Sequence, residues 1–162
     1  DAFDELVFEK VAPGDVMAPI LEAVAGAAPG CSFGAEINAA TGVVISSQDY
    51  LSTVEKYNAR FFSKMLRGKE PAEDFSAAVR AAPKVNWIRV IAAEGSKGGL
   101  LGTVRDLVAA SGADLRCEPS TLSLPGGPES VILKPDTDKS VALEAVLRRR
   151  GLTRDDVCTE PR

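Results

Sequence analysis

The run Val85-Asn86-Trp87-Ile88-Arg89-Val90-Ile91-Ala92 constrains the fold most. It is rich in β-branched and aromatic residues and free of glycine and proline, which suits a pleated surface and argues for a central place in a sheet. Two other pairs of apolar runs flank it in sequence. Cys31–Ile37 and Gly42–Ser46 are joined by the hairpin-length connection Asn38-Ala39-Ala40-Thr41. Leu115–Cys117 and Val131–Leu133 are separated by a Pro- and Gly-rich loop, 119–128. Strands adjacent in sequence pair antiparallel.

Between them, apolar residues recur at helical spacing. Asp15 offers an N-cap for a helix to about Ala27, which carries Pro19 early and ends at Pro29-Gly30. A helix over 48–67 shows Tyr50, Leu51, Val54, Tyr57, Phe61, Met65 and Leu66 on one broad face, with Tyr57, Phe61 and Phe62 read as packing residues. Shorter patterns predict helices at Phe75–Ala82, from Leu100 to Gly112, and from about Asp138 to Arg150 with Gly151 beyond its end. Leu6-Val7-Phe8 reads as a short first strand stopped by Pro13-Gly14. The expected form is α+β, a mostly antiparallel sheet with helices packed on one face. Its halves, roughly 5–47 and 86–133, share a strand, helix, strand, strand order that suggests a weak duplication.

Composition narrows the chemistry. The 162 residues are 45% hydrophobic and 26% charged, values of an ordinary folded domain. Nineteen basic against 23 acidic residues leave a net charge of −4, and the one basic block is Arg148-Arg149-Arg150, so nucleic acid is not an expected partner. Histidine is absent, which removes Ser-His-Asp and Cys-His nucleophile systems and His-ligated metals. Cys31, Cys117 and Cys158 match no disulfide or zinc pattern and read as reduced thiols. No apolar stretch approaches the roughly 20 residues that span a bilayer, and the N-terminus lacks a signal pattern, so no membrane partner and a cytoplasmic location are expected.

Glu5, Glu9, Glu36 and Asp49 share no rigid face that would make a paired-carboxylate site. Gly95-Ser96-Lys97-Gly98-Gly99 precedes a helix but lacks the phosphate-loop spacing and reads as a plain loop. The loop holding Gly126 and Gly127 is a connection of the kind that lines pockets. Lys139 is the unusual residue. It stands in the first turn of a helix, where the partial positive charge of the N-terminus opposes it.

Around Lys139 the chain resembles a known family. Val131-Ile132-Leu133-Lys134-Pro135-Asp136-Thr137-Asp138-Lys139-Ser140-Val141-Ala142-Leu143, continued by Leu147, Gly151-Leu152-Thr153 and Asp155-Asp156-Val157, is similar to haloacid dehalogenase-superfamily phosphatases of the Cof type. Lys139 matches the family lysine that stabilises the nucleophilic aspartate and the phosphoryl group, and Ser140 stands where glycine is commoner. Residues of about 5–133 resemble the type-2 cap, which closes over the active site and selects the substrate. Arg89 falls near a position where many relatives carry a basic residue.

The resemblance implies two parts, a cap-like domain over 1–134 and a lysine-bearing helix and tail over 135–162. It also implies a small phosphate ester as ligand, with Lys139 catalytic and Arg89, Gly126 and Gly127 in contact with substrate. Magnesium would be the cofactor of the intact enzyme. The chain contains neither the family's Asp-x-Asp-Gly-Thr nucleophile motif nor its Gly-Asp-x-x-Asn-Asp metal motif, so no metal ligand is assigned. Taken alone it resembles a phosphoric monoester hydrolase that is catalytically incomplete. Its protein partners would be a separate catalytic core or a second copy. The alternative is a non-catalytic, self-associating binding module that docks through its sheet face or the Tyr57/Phe61/Phe62 helix.

Overall fold

The computed structural model describes residues 9–37, 43–122, 124–137 and 139–156, without the side chains of Val43 and Lys139. The expected first strand at Leu6–Phe8 and the hairpin residues 38–41 lie outside them. The chain divides into two compact units, Val11–Pro135 and a second made of Asp1–Lys10 with Asp136–Arg162.

In the larger unit, β1 (Ser32–Ile37), β2 (Val43–Ser46), β3 (Val85–Ile91), β4 (Leu115–Pro119) and β5 (Ser130–Pro135) form one open sheet in the order β2-β1-β3-β5-β4. Every pairing is antiparallel. The fold is α+β, and β3 lies at the centre of the sheet, as its composition predicts. Ahead of it, Ala12 bridges Val85 through paired backbone hydrogen bonds of 3.1 and 2.8 Å.

Alternation along the strands gives the sheet two unlike faces. Ala35, Ile88, Val90, Val131, Leu133, Leu115 and Cys117 point to one of them and join the main core with α1 (Gly14–Ala27), α4 (Phe75–Ala81) and α5 (Leu100–Ser111). Phe33 stacks on Phe75 at 6.0 Å within this layer. The opposite face carries α2 (Gln48–Tyr57), whose Tyr50, Leu51 and Val54 build a smaller core with Leu66, Ile91 and Leu122. Helices therefore occupy both faces, not the single face expected. The apolar stripe of α2 needs cover of its own, and the near end of the second face provides it.

Two local readings change for tertiary reasons. Asp15 does not cap α1, because the helix starts at Gly14 with no side-chain cap. Gly14 donates to the Ala82 carbonyl at 2.9 Å, and a Cβ there would stand 1.8 Å from the Val79 oxygen. Close approach of α4 fixes where the helix begins. The helix expected over 48–67 breaks after Tyr57, where Asn58 accepts from the Phe61 amide at 3.0 Å and starts the short α3 (Ala59–Phe61). A π-turn, Phe62–Leu66, follows. It accommodates Leu66, 2% exposed, in the smaller core.

In the second unit, α6 (Lys139–Arg149) ends as predicted at Gly151, whose φ of +67° suits glycine, and Leu152 donates to the Leu147 carbonyl at 2.9 Å. Thr153 then opens a 3₁₀ turn, Arg154–Asp156. Its amide and hydroxyl both donate to the Asp156 carboxylate at 2.7 Å and hold that acid below its usual range.

Candidate anion site on the second sheet face

Gly34 and Arg89 face each other across the β1–β3 pairing. A Cβ on Gly34 would lie 2.6 Å from the ring of Tyr50, so the missing side chain is what lets that ring lie flat on the sheet. Tyr50 is fully buried, and its hydroxyl accepts from Arg89 Nη1 at 2.9 Å. From the other side, Arg89 Nε donates to Ser120 Oγ at 2.8 Å, and Ser120 Oγ also accepts from the Leu122 amide. The guanidinium lies over the Trp87 ring at 4.7 Å and near the Phe61 ring at 5.9 Å. Trp87 reaches it because residues two apart on a strand share a face.

Arg89 is 7% exposed. Among the described residues, none of its partners is a carboxylate. Burying an unpaired cation costs several kcal/mol of desolvation, which neutral hydroxyls and ring faces offset only in part. A guanidinium has five donors in a fixed fork, and the bonds at Nε and Nη1 use two of them. The remainder suit a planar or tetrahedral anion.

The neighbouring strands extend the same charge. On the face of β3, β5 and β4 shared with Arg89 stand Lys134 and Arg116, against one carboxylate, Glu118, which pairs with both. A second carboxylate, Glu36, stands on the same face on β1, opposite Trp87. In a chain of net charge −4, this face carries three cations, Arg89, Lys134 and Arg116, against two carboxylates, Glu36 and Glu118. Two buried polar atoms there, Arg116 Nε and Ser130 Oγ, have no hydrogen-bond partner among the described residues. Orphaned buried groups are rare enough in folded proteins to call for a ligand or water.

The other expected site residues fall elsewhere. Gly126 and Gly127 line a cavity of about 290 Å³ with Tyr57, Glu94 and Glu129, and Arg89 is not among its lining residues. Lys139 is the first residue of α6, in the second unit, and the first turn of that helix contains no acid. The loop over 94–99 does precede a helix start, but Glu129 already occupies it: its two oxygens accept from the Leu100 and Leu101 amides at 3.0 Å each. Phe61 and Phe62 pack against the smaller core.

Tyr50, Ser120, Ser130 and Glu129 were not singled out by the sequence. The hydroxyls and the arginine are 31 and 39 positions apart, and only Gly34, a glycine inside a strand run, hinted at a close approach. No group of three His, Cys, Asp or Glu side chains that could hold a metal occurs among the described residues, so these residues do not fit a magnesium site. No helix among them is long and apolar enough to cross a membrane. Neither a family model, nor a curated protein, nor a solved structure matches the chain.

Proposed function

We propose that this chain is the substrate-selecting cap region, with the lysine-bearing segment, of a haloacid dehalogenase-like phosphatase, and that it recognises a small phosphate ester. The observation that carries the reading is Arg89, a buried guanidinium with hydroxyl and aromatic partners and, among the described residues, no carboxylate partner. Such a group favours a dianion over a neutral ligand, and the cations of β4 and β5 steer it there. The grouping of residues 1–10 with 136–162 adds support, since it makes 11–135 an insert, the form a cap takes.

In this reading Arg89 donates to phosphate oxygens while Tyr50 and Ser120 hold its plane in place. Lys139 is assigned to the phosphoryl group through the resemblance. Magnesium would neutralise phosphate charge in the intact enzyme, and no ligand for it is assigned among the described residues. Aspartyl phosphoryl transfer needs a nucleophile as well as a lysine, so the chain binds but does not turn over.

Trp87 provides the test, because it is the single tryptophan of the chain and lies against the guanidinium. Orthophosphate and glycerol phosphate should change its fluorescence saturably, glycerol should not, and Arg89→Met should abolish the response. A phosphate response absent from the parent chain, or unchanged in Arg89→Met, sinks the reading. Magnesium-dependent hydrolysis of an aryl phosphate by a species of intact mass 17.0 kDa would overturn the claim of incompleteness.

A further inference from the structure

The cavity beside Tyr57 is a separate feature, and its chemistry differs from that around Arg89. Its walls are two glycine-rich turns, 94–99 and 126–128, so a ligand meets backbone as much as side chain. Gly127 packs so closely on Tyr57 that a Cβ would stand 2.8 Å from the ring, which fixes the ring as one wall. At the rim, Lys56 Nζ donates to both oxygens of Glu94, at 2.8 and 3.0 Å, and lies 5.0 Å from the Tyr57 ring centre. That pairing raises the lysine pKa and lowers that of Glu94, with the Tyr57 hydroxyl contributing to both. Glu129 faces the same space with its charge answered by the α5 amides.

Lys56 answers the charge of Glu94, while Glu129 is held by amides and keeps its negative charge. An incoming anion meets that charge. A neutral hydrogen-bond donor does not. A carboxylate has about four lone-pair sites, and the bonds above leave room for one more donor on Glu94 and for one on each oxygen of Glu129. Hydroxyl groups supply such donors, Ser96 adds a hydroxyl from the loop, and the Tyr57 face offers apolar contact to C–H groups. At about 290 Å³ the space sits at the lower end of the range for small-ligand sites, roughly 300–1,000 Å³. It suits a single ring.

We propose that this cavity binds a neutral polyhydroxylated ring, a monosaccharide or cyclitol, with its C–H face on Tyr57 and its hydroxyls on Glu94 and Glu129. The proposal does not rest on the phosphate reading. Saturation-transfer NMR on the full chain tests it with methyl glucopyranoside and myo-inositol as probes, and with orthophosphate in a separate titration. At least one polyol should show transfer to its ring C–H protons with millimolar affinity. Tyr57→Leu and Glu94→Gln should each weaken it about fivefold, the fold-change of one net hydrogen bond or its equivalent. Both variants change exposed or half-buried side chains, and an unfolding curve confirms that each is folded.

Arg89→Met should leave the polyol signal intact while removing the phosphate response. Absence of transfer from both polyols, or transfer unaffected by both cavity variants, overturns the proposal. Loss of the polyol signal in Arg89→Met overturns its independence from the arginine.

Discussion

The two faces of the sheet carry alternate residues of the same strands, yet they are built to different ends. Ile88 and Val90 point into the main core and are 0% and 1% exposed, while Arg89 between them points the other way and is nearly as buried. The first face gathers apolar side chains under α1, α4 and α5. The second buries a cation under tyrosine, tryptophan and phenylalanine rings. Burial on the first face stabilises the fold. On the second it encloses a charge among hydroxyls and aromatic rings.

The sharpest way to break this contrast is to remove volume from the apolar face. Ile88→Ala should cost about 2–5 kcal/mol through lost transfer energy and a residual cavity, read by chemical denaturation, with the fluorescence response to phosphate retained wherever the chain is folded. A loss under about 1 kcal/mol would mean that this face is not the main source of stability.

Gly34→Ala tests the joint between the faces. The new methyl meets the Tyr50 ring, so stability should fall by about 1–3 kcal/mol, and phosphate affinity should fall as well because Tyr50 no longer holds Arg89. Unaltered binding would show that Tyr50 does not position the guanidinium.

Arg89→Met should change stability little, within about 1 kcal/mol, because relief of a buried charge is set against two hydroxyls losing a donor. Its binding response should vanish. A large destabilisation without loss of response would make the arginine a structural group and erase the contrast.

The smallest effect concerns Cys117, on the apolar face, where burial pushes its thiol up to about 11. The unfolded thiol ionises near 9 and the folded one later, so its contribution is complete below pH 9 and declines as pH rises from 9 toward 11. At pH 8 a thiol reagent should modify Cys117 far more slowly in the folded than in the unfolded chain. Equal rates would place it at the surface.

How much of this was legible depended on the range of the interaction. The centrality of β3 and the Gly151 stop of α6 are written in local composition, and both stand. The helix break at Asn58 had a local sign, a capping residue inside a periodic run, which the breadth of the apolar stripe concealed. The start of α1 had none, since carbonyls of a helix more than 60 residues away decide it. For Arg89, the sequence marked the strand that carries it, and period-two alternation in that strand puts it on the face of Trp87 and opposite Val90. It did not reveal that Tyr50 and Ser120 would close over it, because that needs the tertiary fold. The clasp of Glu129 on α5 is of the same kind, a carboxylate reaching across 28 and 29 positions to do what a local cap would do.

Glu129 also accepts the Ala92 amide through its backbone carbonyl at 2.9 Å, so one residue fastens the end of β3, the beginning of α5 and the approach to β5. It works as a rivet between the sheet and α5. Its side chain thereby ties one wall of the cavity to the start of α5.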